Sequence, residues 1–250
     1  MPIWIQAGLW GVLAGGALVL GALVAWFVSV PRAVVAGVMA FGAGVLISAL
    51  AYDLVAEAES KGGLTPTLVG FLGGAAVYVA ANVALAAKGA RHRKRAGDQQ
   101  PSEDEQSGSG TAIAIGALLD GVPESIVLGL TLLAGHGVGL SVLAAVFISN
   151  LPEGLSSAAG MKRAGRSARH VFGVWCGIAV ISGVAGALGV LLLGGAPAAV
   201  VAAITAVAAG AILAMVADTM LPEAFEKAHL YAGFVATIGF ALSFALEKLG

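Results

Sequence analysis

Two short stretches of the chain set acidic side chains inside strongly apolar sequence: Asp120-Gly-Val-Pro-Glu124-Ser and Ser149-Asn-Leu-Pro-Glu153-Gly. They correspond position for position, with a polar residue, a proline three places on and a glutamate four places on. Four residues make about one helical turn, so Asp120 and Glu124 leave the same helix face. Ser149 and Glu153 repeat that spacing, with Asn150 beside them. A carboxylate at the centre of a bilayer costs about 2.5–3.5 kcal/mol on insertion scales, and three of them on the order of 10 kcal/mol if unpaired. No Lys or Arg falls inside the surrounding apolar runs, so protons or a bound cation are expected to neutralise them. Pro123 and Pro152 each remove a backbone donor and free a carbonyl near Leu119 and Ile148. Freed carbonyls at membrane depth are tolerated where they line a cavity or bind ions. Carboxylate, amide and carbonyl oxygens together make a hard, oxygen-rich cation site. The competing reading is a packing device, with protonated acids hydrogen-bonded between helices.

The elements that must hold these groups follow from composition. Of 250 residues, 59% are hydrophobic and only 11% charged, whereas a soluble domain carries roughly 25% charged residues. Mean hydropathy is +0.96. A membrane span needs about 20 apolar residues, and eight runs qualify: 4–30, 33–56, 65–87, 111–134, 139–161, 169–194, 197–220 and 230–247. Pro31-Arg32, Lys61-Gly62-Gly63, Gly135-His136-Gly137 and Gly194-Gly195-Ala196-Pro197 punctuate them as turns. The expected fold is therefore an all-α polytopic membrane protein, a single domain over 1–250. Lys88–Gly110 is the one long connection. It opens basic and turns acidic and Ser/Gly-rich, a composition expected to form a flexible loop. The N-terminus has no basic residue before its apolar run, so it reads as a first span rather than a cleaved leader.

With eight spans, the basic residues divide unevenly between the two sides. Arg32, the loop residues Lys88, Arg91, Arg93, Lys94 and Arg95, then Lys162, Arg163, Arg166, Arg169 and Lys227 share one side, against Lys61 and Lys248 on the other. The positive-inside rule places the first set, and with it the 88–110 loop, in the cytoplasm and both termini outside. The motifs of spans four and five echo each other. So do Ala43-Gly44 through Glu57-Ala58 in span two and Ala209-Gly210 through Glu223-Ala224 in span seven. Each echo joins an even span to an odd one, so the partners run in opposite directions. That predicts inverted repeats in a 3+2+3 arrangement, a transporter signature with its site near mid-membrane.

At Ser149-Asn150-Leu151-Pro152-Glu153-Gly154 the chain resembles the ZIP (Zrt/Irt-like) metal transporters, whose spans four and five carry His-Asn-x-Pro-Glu-Gly or close variants. Phe41-Gly-Ala-Gly44 with Asp53-Leu54 and Glu57-Ala58 resembles the family's second span, and Ala208-Ala-Gly-Ala211 with Leu221-Pro-Glu-Ala224 its seventh. The resemblance covers nearly the whole chain. It implies a binuclear metal site in spans four and five and transport toward the cytoplasm, often by a proposed elevator motion. Carried over residue by residue, ligand roles fall on Glu124, Asn150 and Glu153. Asp120 and Ser149 stand where the family pattern has histidine and are the expected replacement ligands, Asp120 the stronger of the two, while Gly121 stands where the pattern has asparagine. A span-six glutamate common in bacterial members is missing near Gly186. With oxygens in place of histidine nitrogens, zinc is expected to bind less tightly and harder cations relatively better.

The expected function is thus transport of divalent metal cations, zinc or a harder ion such as manganese or iron, by a multi-pass protein of the cell membrane. The metal is the transported substrate and no cofactor is expected. The alternative is a transport-inactive ZIP-like homologue acting as a metal sensor or assembly partner. An intramembrane hydrolase is not expected: no His-Glu-x-x-His lies in a span and no span offers a base to a serine. A net charge of −1 and the lack of a binding motif give no case for nucleic acid. The lone Cys176 excludes an intrachain disulfide. His92, His136, His170 and His229 fall in loops or at span ends, and read as solvated. Asp53, Glu57, Asp218 and Glu223 read either as entry and exit linings or as solvated helix ends. Asn82 reads as an interhelical hydrogen bond. Small-residue faces such as Gly11-x-x-x-Gly15 permit helix packing, including a homodimer.

Overall fold

Prolines and glycines set the helix boundaries. Pro2, Pro31 and Pro197 each stand immediately before a helix, where a missing N–H costs nothing. Ser167 caps another by accepting from the His170 N–H. Gly63, at φ 79°, makes the sharp reversal between two more. The computed structural model describes residues 1–94, 100–102, 104–133 and 140–249. The expected turn at Gly135-His136-Gly137 and the loop residues Arg95 and Asp98 lie outside them.

Among the described residues, eight helices are long and apolar enough to cross a membrane. They are α1 (Ile3–Phe27), α2 (Arg32–Gly62), α3 (Leu64–Ala90), α4 (Ser109–Leu133), α5 (Leu140–Arg163), α6 (Ala168–Leu193), α7 (Ala198–Glu226) and α8 (Leu230–Leu249). Among the described residues there is no strand. Two of the helices outrun the expected spans: α2 continues past residue 56 and α7 past residue 220. Each passes through a π-helical segment, Leu50–Val55 in α2 and Val216–Met220 in α7, and then continues as α-helix. The two segments begin six residues after Gly44 and Gly210 respectively.

The helices sort into two groups by packing. In one, α1 lies against α5 and α6, and α4 lies against α6; in the other, α2 pairs with α8 and α3 with α7. Lipid tails are as apolar as the side chains, so close backbone approach rather than hydrophobicity drives such pairs. Gly44 meets the Ala236 backbone across α2–α8, and Gly210 meets the Phe71 backbone across α7–α3; neither site has space for a Cβ. The groups join chiefly where α2 meets α5 and where α4 meets α7. Leu68, Val69, Leu72 and Val77 on α3 and Val180, Val184, Leu188 and Leu191 on α6 remain exposed, an outward apolar surface that suits lipid.

Candidate functional site

Helices α4 and α5 bring Asp120, Glu124, Ser149, Asn150 and Glu153 into the interior, all buried. What meets them there corrects an expectation. The absence of basic residues from the spans suggested that no Lys or Arg neutralises the carboxylates, yet Arg93 and Lys94, from the connection after α3, are buried against them. The chain folds back from the end of α3, so side chains outside every apolar run still reach the interior.

Arg93 makes a two-pronged contact with Asp120: Nε donates to Oδ2 at 3.0 Å and Nη2 to Oδ1 at 2.8 Å. The same guanidinium donates to the Tyr78 hydroxyl at 2.9 Å and to Asn82 Oδ1 at 2.7 Å, both on α3. Tyr78 in turn donates to Asp120 Oδ1 at 2.7 Å. Burial opposes the charge on Arg93, but the Asp120 carboxylate beside it outweighs burial and holds the guanidinium pKa above its ordinary value. Bidentate, charge-assisted pairs of this kind are the strong ones. Gly116, one turn before Asp120, makes the room: a Cβ there would stand 2.6 Å from Arg93 Cδ.

Lys94 takes the next position. Its Nζ lies 2.7 Å from Glu153 Oε2 and 3.3 Å from Asp120 Oδ2, so one ammonium joins carboxylates of two helices. The backbone is held too. Ser156 donates its hydroxyl to the Lys94 carbonyl and lies 3.2 Å from Glu223 Oε1 of α7. Gln100 donates to the carbonyls of Arg93 and Ser157 at 3.0 and 3.1 Å. Asp120, Asn150, Glu153, Arg93, Lys94 and Trp175 line a residual cavity of only about 10 Å³.

The remaining residues divide. Asn150 donates to the Ala14 carbonyl of α1 at 3.0 Å, which fixes its amide beside the cavity. Ser149 donates to Val146 in its own helix at 3.0 Å and its backbone packs near Gly42 of α2, so its hydroxyl is not among the groups meeting Lys94. Glu124 lines a different, apolar slot with Leu46, Leu50, Val127, Val142 and Ile212. Glu124 Oε1 and Glu153 Oε1 are buried without a hydrogen-bond partner among the described residues. Among the described residues, no three of His, Cys, Asp and Glu converge closely enough to hold a metal ion. The carboxylates are in place, but two of the three already share the protein's own cations.

Beyond the centre, Glu57 pairs with Lys61 and Asp218 accepts from Asn82 at 3.4 Å, all at partly exposed or exposed positions. Glu223 is buried. His136 lies outside the described residues; His92, His170 and His229 are partly or fully exposed. Sequence reasoning missed Tyr78, Arg93 and Lys94. The available signals were an adjacent Arg-Lys pair close to a span end and a glycine one turn from Asp120. No family model matches the chain, and no curated protein matches it.

Proposed function

We propose that the chain is a ZIP-type carrier that moves divalent cations, zinc or a harder ion such as manganese or iron, toward the cytoplasm through the carboxylates of α4 and α5. One observation carries the reading: Asp120 and Glu153, on different helices, already hold a cationic group between them at 3.3 and 2.7 Å. A cavity able to stabilise a buried ammonium has the charge and oxygen chemistry for a metal cation. The unpartnered Glu124 and Glu153 oxygens offer further donors.

The rest of the fold supports this. The π-helical interruptions of α2 and α7 start at equivalent places in the two echoing sequences, and Gly44 and Gly210 make equivalent backbone approaches. Those correspondences favour inverted repeats in the 3+2+3 arrangement, and the uneven distribution of basic residues favours both termini outside and the 88–110 connection cytoplasmic. Two helix groups with close glycine packing inside each suit a carrier whose groups shift against one another. The protein would then reside in the cell membrane, with the metal as substrate and no enzymatic step.

A second reading has its own observation. Lys94 stands where a metal would sit, and no chelating triad forms among the described residues; a transport-inactive sensor or assembly partner would look like this. Uptake of Zn²⁺, Mn²⁺, Fe²⁺, Co²⁺, Cd²⁺ and Mg²⁺ by purified protein in liposomes separates the two. The carrier reading expects saturable uptake that Glu153→Gln abolishes. Uptake no greater than in protein-free liposomes, for the wild type and for Lys94→Gln alike, would favour the inactive homologue.

A further inference from the structure

We infer that Lys94 is a tethered stand-in for the transported cation: its ammonium occupies the subsite between Asp120 and Glu153, and a divalent cation enters by displacing it. This rests on the carrier reading and specifies how its site is regulated.

The two neighbouring basic residues differ in how firmly they are held. Arg93 spends its guanidinium on Asp120, Tyr78 and Asn82 in directed hydrogen bonds. Lys94 makes close ion pairs, but among the described residues its Nζ has no well-directed hydrogen bond. An ammonium is a compact, strongly hydrated charge on a flexible stem, whereas a guanidinium fork is preorganised for a carboxylate. Taking Lys94 out of the pocket returns its hydration, so the exchange costs far less than extracting Arg93 would. A divalent ion entering in its place supplies twice the charge. It could also recruit Glu153 Oε1, which has no hydrogen-bond partner among the described residues.

The dock is built for the dipeptide rather than for a stray side chain. Gln100 and Ser156 hold the carbonyls of Arg93 and Lys94, and Gly116 leaves space for the Arg93 stem. It also spans the two helix groups. Arg93 ties Tyr78 and Asn82 of α3 to Asp120 of α4, and Ser156 of α5 reaches both the Lys94 carbonyl and Glu223 of α7. The cation-free arrangement is therefore neutralised and clasped at once. Displacing the Lys94 ammonium opens the subsite between Asp120 and Glu153, while the Arg93 contacts hold the dock in place.

The test uses full-length protein in detergent micelles, with Mn²⁺ as the probe. Amine-specific acylation followed by mass spectrometry reads the accessibility of Lys94, with Lys88 as internal reference. Lys94 should be protected without Mn²⁺ and become several-fold more reactive as Mn²⁺ saturates, while Lys88 stays constant. In parallel, Lys94→Gln should bind Mn²⁺ about tenfold more tightly, the gain expected if the ammonium fills the subsite in about nine molecules of ten. Equal affinity in both proteins, with Lys94 protection unchanged at saturating Mn²⁺, overturns the stand-in and leaves the carrier reading intact. No Mn²⁺ binding by either protein, both folded by thermal melting, overturns the carrier reading and the stand-in with it.

Discussion

Asp120 and Glu124 stand one turn apart on the same helix, yet they occupy opposite environments. Asp120 is enclosed by Arg93, Lys94 and Tyr78. Glu124 faces Leu46, Leu50, Val127, Val142 and Ile212, with one oxygen unpartnered. The first is an anion ringed by cationic and hydroxyl donors. The second is an acid that must hold a proton or a cation, since an unpaired buried charge is not sustainable. Helical spacing placed both inside, and the surrounding chain gave Asp120 cationic partners and Glu124 an apolar slot.

The contrast can be broken from the Asp120 side first. Arg93→Ala leaves Asp120 without its bidentate partner, and removing one member of a buried ion pair costs about 3–5 kcal/mol. Unfolding of the variant in mild detergent should show a loss of that size. Gly116→Ala should cost less, about 1–3 kcal/mol, because its methyl forces the Arg93 stem aside. The same unfolding measurement detects it, and Arg93→Ala should remove most of the additional penalty.

Glu124→Gln sharpens the contrast. A neutral amide in an apolar slot should change stability by about 1 kcal/mol or less, while uptake of Mn²⁺ into liposomes falls to background. Retained uptake with lost stability would make Glu124 a packing residue. Ser149→Ala should do least. Its hydroxyl is engaged by Val146 within α5, so Mn²⁺ affinity should be unchanged and stability should fall by only about 1 kcal/mol. A tenfold loss of affinity on titration would restore Ser149 as a ligand.

The eight helices were legible because each apolar run is long and its turns are marked by Pro or Gly. The ends of α2 and α7 were not. Glu57, Glu59 and Lys61 in one, and Pro222, Glu223 and Glu226 in the other, end the apolar run just after a π segment, while the backbone continues as α-helix. The carboxylate motifs were legible from their spacing and their setting. Their charge balance was not, because Arg93 lies 27 residues from Asp120 in sequence and sits in a hydrophilic connection. Composition reports where a segment prefers to be on average. Two side chains of that segment can still be drawn inside by buried carboxylates.

The central claim is that a cation crosses by way of the α4 and α5 carboxylates, and radiolabelled Mn²⁺ uptake by wild type and Glu153→Gln in matched liposomes tests it most directly. The account predicts saturable uptake by the wild type and uptake at the protein-free level for Glu153→Gln, with both proteins equally folded. Equal uptake by the two, or none by the wild type, would contradict it.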